Sequence, residues 1–174
     1  MAKALKKVVG SLIYNQSLKL FIVRKTMQVS DIISPERVLC DVNTGSKKAT
    51  LEILADLIAS ASTGLTQIEV FDSLLTRERL GSTGLGHGVA LPHGRLKHCK
   101  KTLGAFVCLQ AGIEYDAIDK QPVNLLFALL VPKESTQEHL EILSKLAEMF
   151  SNKEFLEQLK VESSEDNIYK LLTD

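Results

Sequence analysis

Two uninterrupted apolar segments in the second half of the chain, residues 103–109 and 123–131, restrict its folds more than any other feature. The second segment contains Asn124 as its only polar residue. A strand with one face in water alternates apolar and polar residues, whereas an uninterrupted apolar segment of this length is typical of a strand covered on both faces. The two segments therefore predict central strands of an α/β sheet with helices on each side.

Helical periodicity precedes these strands. Residues 46–61 carry one apolar stripe at helical spacing, which predicts a first helix. The stripe consists of Leu51, Leu54, Ala55 and Ile58. A second helix is predicted to begin at Thr66, because Glu69 three residues later completes a capping box, and to end near Gly81. The predicted buried face of this second helix consists of Ile68, Phe71, Leu74 and Leu75. A short strand is expected at residues 37–42.

Helices are also predicted after the apolar segments. Two capping-box patterns open them, Ser135 with Glu138 and Ser151 with Glu154. The predicted inner faces consist of Leu140, Leu143, Ala147 and Phe150 in the first of these helices and Ile168, Leu171 and Leu172 in a last short one. Helices on either side of a sheet in chain order predict an α/β layered fold, and 174 residues suit a single domain.

The charge distribution separates an N-terminal extension from the rest of the chain. Residues 1–26 contain six of the 21 basic residues and no acidic one, which leaves 15 basic and 21 acidic residues in 27–174. We expect residues 1–26 to be a loosely ordered basic extension and residues 27–174 to be the domain, with Met27 as a candidate natural start. The zero net charge of the whole chain gives no general case for nucleic-acid binding.

The cysteines and the hydropathy indicate a compartment. Three cysteines are an odd number, and no pair forms a Cys-x-x-Cys, so neither a disulfide framework nor a zinc ribbon is indicated. No apolar run reaches the length of a membrane span, and the leader lacks a clear small-x-small cleavage site. We therefore expect a cytoplasmic protein without membrane insertion.

Residues 81–95, GSTGLGHGVALPHGR, contain five glycines and are predicted to form a loop of special backbone geometry around a short strand at 89–91. Gly81 and Gly86 have the spacing of a Walker A motif, but His87 replaces its lysine and Gly88 its hydroxyl residue. The Rossmann glycine pattern fails as well. A nest of backbone amides that binds an anion remains one interpretation. The other is that the glycines only make tight turns.

His93 makes the anion interpretation more specific. Pro92 and Gly94 flank it, Arg95 lies two residues later, and Arg77 lies at the end of the preceding predicted helix. A neutral imidazole is a competent nucleophile near neutral pH. Phosphoryl transfer requires little from a protein beyond positioning and charge stabilisation, and a guanidinium matches phosphate oxygens bidentately. His93 is therefore a candidate phosphoryl acceptor.

Other histidines allow alternatives. A metal site could use His87, His93, His98 and Cys99, but their spacings fit no known zinc motif and no acidic ligand lies nearby. His98 and Cys99 are better explained as surface and filler residues. His139 lies in the first turn of a predicted helix, where it could be a core-edge residue or could present a polar tip to a phosphate.

Two neighbouring segments, RERLGSTGLG at 77–86 and GVALPHGR at 88–95, closely resemble the phosphorylation segment of phosphotransferase-system IIA proteins of the mannitol, fructose and nitrogen-regulatory class. Further matching positions are Phe106 and residues 116–119, 121–123, 125–132 and 139–140. Residues 29–33 look like the start of the nitrogen-regulatory member. The resemblance covers roughly residues 28–174 and excludes the leader. One departure is His87, where the nitrogen-regulatory proteins tend to have Asn.

The resemblance implies a fold, a set of site residues and partners. The fold is a single-domain sandwich with a mixed β-sheet flanked by α-helices. His93 would be the tele-phosphohistidine, His139 a second active-site histidine, and Arg77 a phosphate-binding arginine. The other residues assigned to phosphate binding are Thr83, Gly86 and Gly94. The donor would be the histidine phosphocarrier protein of the nitrogen branch, itself charged by a phosphoenolpyruvate-dependent enzyme. This scheme requires no metal and no organic cofactor.

The expected output is regulatory. The chain would be a phosphoryl-transfer component that binds target proteins, such as potassium transport or sensor proteins, according to its phosphorylation state. Such a target would pack on an apolar rim around His93, expected at Leu85, Val89 and Leu91. The alternative is a sugar-specific IIA component of the fructose or mannitol type that passes its phosphate to a IIB protein.

Overall fold

The computed structural model describes residues 27–60 and 62–174, and these residues form one sheet with two α-helices between its first and second strands and three after its last. The described residues form the strands β1 Val38–Val42, β2 Gly84–Gly86, β3 Val89–Ala90, β4 His93–Leu96, β5 Leu103–Ile113 and β6 Val123–Pro132. Their helices are α1 Lys47–Ser60, α2 Gln67–Glu78, α3 Thr136–Met149, α4 Lys153–Val161 and α5 Glu165–Thr173. Short 3-10 turns at Val29–Asp31 and Pro35–Arg37 lead into β1. The predicted N-terminal extension, residues 1–26, lies outside the described residues, as does the predicted helical residue Ala61.

The sheet is mixed and follows the order β1-β5-β6-β3-β2. Strand β5 runs parallel to β1 and antiparallel to β6, whereas β3 and β4 both run parallel to β6. These last two strands lie one after the other along the same edge of β6, because Val89 is aligned with Leu125 and His93 with Leu129. The sheet thereby places His93 at a defined level beside a central strand.

Alternate residues of β6 enter two separate cores. Ala128 and Leu130 pack with α1 and α2 on one face of the sheet, and Phe127 and Leu129 pack with α3, α4 and α5 on the other face. All four side chains are fully buried. The prediction of strands covered on both faces is therefore confirmed, as is the predicted α/β sandwich with a mixed sheet flanked by helices.

The glycine-rich segment is more regular than the predicted loop. It contains β2, β3 and β4, and the predicted strand at 89–91 is β3. His87 and Gly88 connect β2 to β3 with φ values of 55° and 83°. Two successive positive φ angles are what tight hairpin turns of the primed type require, and glycine or asparagine adopts them most easily. The predicted special backbone geometry is present at this turn. Much of the segment is nevertheless paired strand and not loop, because β3 and β4 pair with β6, which lies far away in sequence.

The predicted stripes of two helices require correction. In α2, Ile68 is 70% exposed and the unpredicted Val70 is fully buried. In α3, Leu140 is 63% exposed, whereas Ile142 and Leu146 are buried beside Phe150. Both sequences carry apolar residues at two sets of helical spacings. The position of the sheet decides which set faces the core, and local periodicity does not contain that position.

The helix caps were predicted with mixed success. The box at Thr66 and Glu69 is present, with the Thr66 hydroxyl accepting from the Glu69 amide at 3.3 Å. The box at Ser151 was wrong, because α4 begins one residue later and Asn152 caps it by accepting from the Phe155 amide at 3.2 Å. Ser135 is the N-cap of α3 without a side-chain hydrogen bond, and the side chain of Glu138 lies outside the described residues.

None of the helices in the described ranges is both long and apolar enough to cross a bilayer.

Candidate functional site

Two hydrogen bonds fix the side chain of His93 at the start of β4. Its Nδ1 lies 2.8 Å from the carbonyl oxygen of Leu91, and its Nε2 lies 2.9 Å from Nε of Arg77. A carbonyl can only accept and a guanidinium can only donate. Nδ1 therefore carries the hydrogen, and Nε2 has the free electron pair. The imidazole is held in the tautomer whose nucleophilic atom faces Arg77.

Arg77 reaches this position from the last turn of α2. Besides its bond to His93, its Nη1 donates to the carbonyl oxygen of Gly81 at 3.0 Å. The second bond ties the guanidinium to the chain that leaves the helix, so that its plane is fixed beside Nε2. The remaining N–H groups of a guanidinium form a rigid fork that suits the oxygens of a phosphoryl group.

His139 enters the site from the opposite layer. It lies in the first turn of α3, is only 5% exposed, and its ring centroid lies 5.3 Å from that of His93. Its buried Nδ1 has no hydrogen-bond partner among the described residues. Burial lowers the pKa of His139 to about 4, with further lowering by Arg95, His93 and Arg77. The imidazole is therefore neutral at neutral pH and has one polar atom still to be satisfied.

Burial also lowers the pKa of His93 below its usual value of about 6.5. The charges of Arg77 and Arg95 act in the same direction, whereas the Leu91 carbonyl and the Glu78 carboxylate oppose them. A neutral imidazole is the nucleophilic form. The surroundings of His93 therefore favour its neutral form.

His93 lies between two surface cavities. The larger one has a volume of about 690 Å³ and runs between α2 and β4. Its charged lining residues are Glu69, Asp72, Arg77 and Arg95. The smaller one, of about 220 Å³, lies between the β2 segment and α3. His93 can therefore be reached from the surface along an open groove.

The predicted phosphate-binding residues Thr83, Gly86 and Gly94 occupy different surroundings. Thr83 lines the smaller cavity, but its amide and its hydroxyl both donate to Glu78. Gly94 lines the larger cavity and packs so closely on α2 that a Cβ atom would overlap Ser73. Gly86 lies at the far end of β2, where a Cβ atom would be 3.0 Å from the Asp119 carboxylate. The structure brings Thr83 and Gly94 close to His93 and leaves Gly86 outside both cavities.

The apolar rim differs from the prediction. Val89 is fully buried and Leu91 is 4% exposed, because both belong to the core side of the sheet. Leu85 is 39% exposed, as predicted for a rim residue. A second exposed apolar side chain beside His93 is that of Leu80, which lies two residues after the end of α2 and lines the larger cavity. We call Leu80 and Leu85 the apolar rim.

The alternative metal site is not assembled. His87 lies in the β2–β3 turn, His98 is exposed, and the buried Cys99 donates its thiol hydrogen to the Lys101 carbonyl. Across residues 27–60 and 62–174, no three His, Cys, Asp or Glu side chains are grouped as metal ligands.

Sequence reasoning missed Glu78. This carboxylate is only 7% exposed and lies next to Arg77, four residues after the buried Leu74. A charged residue on the buried face of a helix was the available signal, since such residues are rarely buried without a partner.

Comparisons with known proteins show the family to which the chain belongs. The family model described as "Phosphoenolpyruvate-dependent sugar phosphotransferase system, EIIA 2" matches residues 31–174. The chain is 42% identical over 150 residues to a protein of Escherichia coli (strain K12) named "Nitrogen regulatory protein", covering 86% of this chain and 91% of the relative. It is 32% identical to the "PTS system fructose-specific EIIA component" of Haloferax volcanii, covering 85% of this chain and 98% of the relative.

A solved structure gives the same result. The crystal structure of Nitrogen Regulatory Protein IIA-Ntr from Neisseria meningitidis is similar with a TM-score of 0.80 and 43% identity, covering 83% of this chain and 99% of that one. The chain therefore belongs to the EIIA type-2 family of the phosphotransferase system and, within it, to the nitrogen-regulatory type. The resemblance inferred from residues 77–95 is confirmed.

The depressed pKa of His139 predicts a pH dependence of stability. Between pH 6.5 and about 4 the unfolded chain protonates this histidine while the folded protein does not. The free energy of unfolding should therefore be highest above about pH 6.5 and fall as the pH drops toward 4, with His93 contributing in the same direction.

Denaturant unfolding of the wild type and of His139→Gln at pH 7.5, 6 and 5 measures this effect. The variant should lose less stability on acidification than the wild type. His98→Gln, at an exposed position, serves as the control and should behave as the wild type does. Equal acid sensitivity of His139→Gln and the wild type would contradict the buried neutral imidazole.

Proposed function

We propose that this protein is a histidine phosphoacceptor of the nitrogen-branch phosphotransferase system, phosphorylated on Nε2 of His93 by a histidine phosphocarrier protein in the cytoplasm. One observation carries the proposal. The Leu91 carbonyl accepts from Nδ1 at 2.8 Å, which leaves Nε2 unprotonated beside a guanidinium at the edge of an open groove. A nucleophilic nitrogen, a fixed cation and access for a second protein are the requirements of phosphoryl transfer between proteins.

The transfer step can be written on these atoms. The electron pair of His93 Nε2 forms the new bond to phosphorus, and the bond from phosphorus to the imidazole nitrogen of the donor breaks, so that its electron pair stays with the donor ring. The Arg77 Nε–H group, which bonds Nε2 in the free protein, is then released to a phosphoryl oxygen. The guanidinium thereby stabilises the negative charge of the phosphoryl oxygens, which is absent from the site before the reaction.

His139 has a suitable place for a supporting role. Its neutral ring lies 5.3 Å from His93, and its Nδ1 is unpartnered among the described residues. The first turn of a helix also favours a nearby anion, since amide hydrogens and the helix dipole point outward there. We assign His139 to orienting the phosphoryl group by a hydrogen bond. The nucleophile, the cation and the orienting hydrogen bond are all supplied by side chains of this protein. The scheme needs no metal or organic cofactor.

Phosphorylation changes the charge of a surface that can bind partners. The phosphoryl group adds about −1.5 to −2 charges near neutral pH, in a domain that already carries 21 acidic and 15 basic residues between positions 27 and 174. It would lie beside the apolar rim, where Leu80 and Leu85 are 81% and 39% exposed. A target that packs on the rim of the free protein would be repelled from the phosphorylated one. The targets we propose are regulatory proteins, among them potassium transport or sensor proteins.

A sugar-specific IIA role is the second candidate. The similarity to the fructose-specific EIIA component of Haloferax volcanii favours it, and the same His93 geometry would serve transfer to a IIB protein. The higher identity to proteins named nitrogen regulatory protein favours the regulatory role.

Labelling tests the acceptor. Incubation of the protein with phosphoenolpyruvate and the two upstream phosphotransferase proteins should add one acid-labile phosphate, measured by intact-protein mass. His93→Ala should take up none. His98→Ala removes an exposed histidine five residues away in sequence and should be labelled fully. Full labelling of His93→Ala would show that another residue is the acceptor.

Arg77→Ala should slow phosphoryl transfer by on the order of a hundredfold, because a positioned charge stabiliser is removed. Arg79→Ala is the matched control, since Arg79 is exposed and caps the same helix without touching His93. It should transfer at nearly the wild-type rate. The measurement is the single-turnover rate with excess phosphorylated carrier protein. An unchanged rate in Arg77→Ala would mean that Arg95 and backbone amides suffice.

Affinity for a target in the two phosphorylation states separates the regulatory role from the carrier role. A switch should bind its target with an affinity that changes about five- to 150-fold on phosphorylation, the usual range of allosteric coupling. Capture from native cytosol on wild-type protein and on His93→Ala, followed by calorimetry, identifies the target and measures the change. Rapid phosphate transfer to a sugar-specific IIB protein, without any state-dependent target, would support the carrier role instead.

A further inference from the structure

The side chain of Glu78 is a buried carboxylate that the transfer scheme does not use. It lies at the end of α2, directly after Arg77, and is only 7% exposed. Its Oε2 accepts from the Thr83 amide at 3.1 Å and from the Thr83 hydroxyl at 2.5 Å. Both side-chain and main-chain donors of Thr83 are therefore directed to one carboxylate. A buried carboxylate with this many donors holds its partners firmly.

Lys47 at the start of α1 supplies the compensating charge. Its Nζ lies 3.2 Å from Glu78 Oε1 and 2.7 Å from Asp116 Oδ2, and it stands 4.5 Å above the ring of Tyr115. The Tyr115 side chain is fully buried, and its hydroxyl is 3.4 Å from that of Thr83. Lys47 and Thr83 thus hold the carboxylate, and the buried Tyr115 contacts both of them.

A continuous chain of hydrogen bonds connects this carboxylate to His93. Thr83 donates to Glu78, and the Thr83 carbonyl oxygen accepts from the Leu91 amide at 3.0 Å. The Leu91 carbonyl oxygen then accepts from Nδ1 of His93 at 2.8 Å. Thr83 and Leu91 each donate their N–H toward Glu78 and accept with their carbonyl oxygen from the side of His93. The position of Glu78 is therefore transmitted to the atom that fixes the tautomer of His93.

We propose that Glu78, held by Lys47, is a positioning residue that acts through Thr83 and Leu91 to orient His93 and to keep its hydrogen on Nδ1. This inference rests on the proposed role of His93 as the phosphoryl acceptor. It assigns Thr83 a structural place in the site, since its donors serve Glu78 and are not available to a phosphoryl group. Glu78 touches neither the donor nor the phosphoryl group.

The negative charge of Glu78 would also favour the transfer step at the His93 ring. When Nε2 bonds to phosphorus while Nδ1 keeps its hydrogen, the imidazole ring gains positive character. A hydrogen-bond chain that ends on a carboxylate stabilises that ring, as second partners of metal-bound histidines do. Replacing Glu78 by a neutral residue should therefore disturb both the tautomer of the free protein and the rate of transfer.

The test is a comparison of Glu78→Gln with the wild type in protein labelled with ¹⁵N-histidine. Long-range ¹H–¹⁵N spectra of the unphosphorylated protein report which nitrogen of His93 carries the hydrogen and the pH at which the ring titrates. Glu78→Gln should show a mixed tautomer and a lower titration pH for His93. Its single-turnover phosphorylation should be at least about tenfold slower, the usual effect of losing such a supporting partner.

Further variants keep the test decisive. Thr83→Val removes the hydroxyl hydrogen bond to Glu78 and should shift the His93 signals in the same direction, but by less than Glu78→Gln does. Thr83→Ser keeps the hydroxyl and should give the wild-type His93 signals. This pair decides the question if Glu78→Gln does not fold. Glu52→Gln, which removes a half-exposed carboxylate 3.7 Å from Lys48 on α1, is the control and should match the wild type.

If folded Glu78→Gln and Thr83→Val both show the nitrogen shifts and the titration of His93 that the wild type shows, the positioning role is overturned. The spectra are recorded without any phosphoryl donor. They therefore judge this inference separately from the proposed function, which fails only if wild-type His93 is not phosphorylated.

Discussion

The hydrogen bond from Nδ1 of His93 to the Leu91 carbonyl is the constraint on which the site depends. It exists because β3 and β4 lie in succession along the same edge of β6, with Leu91 and Pro92 between them. The Pro92 carbonyl accepts from the Leu129 amide at 2.9 Å and so holds this junction on the sheet. The tautomer of one side chain is therefore set by the register of a parallel strand pair, which the hydrophobic core keeps in place.

The residues around His93 come from both layers of helices. The end of α2 supplies two successive side chains with different directions, Arg77 to the imidazole and Glu78 to the interior, because neighbouring residues in a helix point about 100° apart. The start of α3, on the other face of the sheet, supplies His139. A sheet with helices on each side can thus surround a residue at the end of a short strand without any long loop.

Features that depend on residues close together in the sequence could be predicted from it. The apolar strands, the stripe of α1 and the cap at Thr66 are local patterns, and the specific segment around His93 identified the family. Features that depend on distant partners could not. The hairpin at His87 relies on pairing with β6, and the burial of Val89 follows from the same contact. The inner face of α3 and the buried carboxylate of Glu78 depend on where the sheet lies, which helical periodicity alone does not specify.

The central claim is that His93 reacts through Nε2 because Nδ1 is occupied by the Leu91 carbonyl. The most direct test is a long-range ¹H–¹⁵N spectrum of ¹⁵N-histidine-labelled protein after phosphorylation from phosphoenolpyruvate through the two upstream proteins. We predict phosphorus coupling at Nε2 of His93 and a hydrogen retained on Nδ1. Phosphorus on Nδ1 of His93, or on a different side chain, would contradict the account.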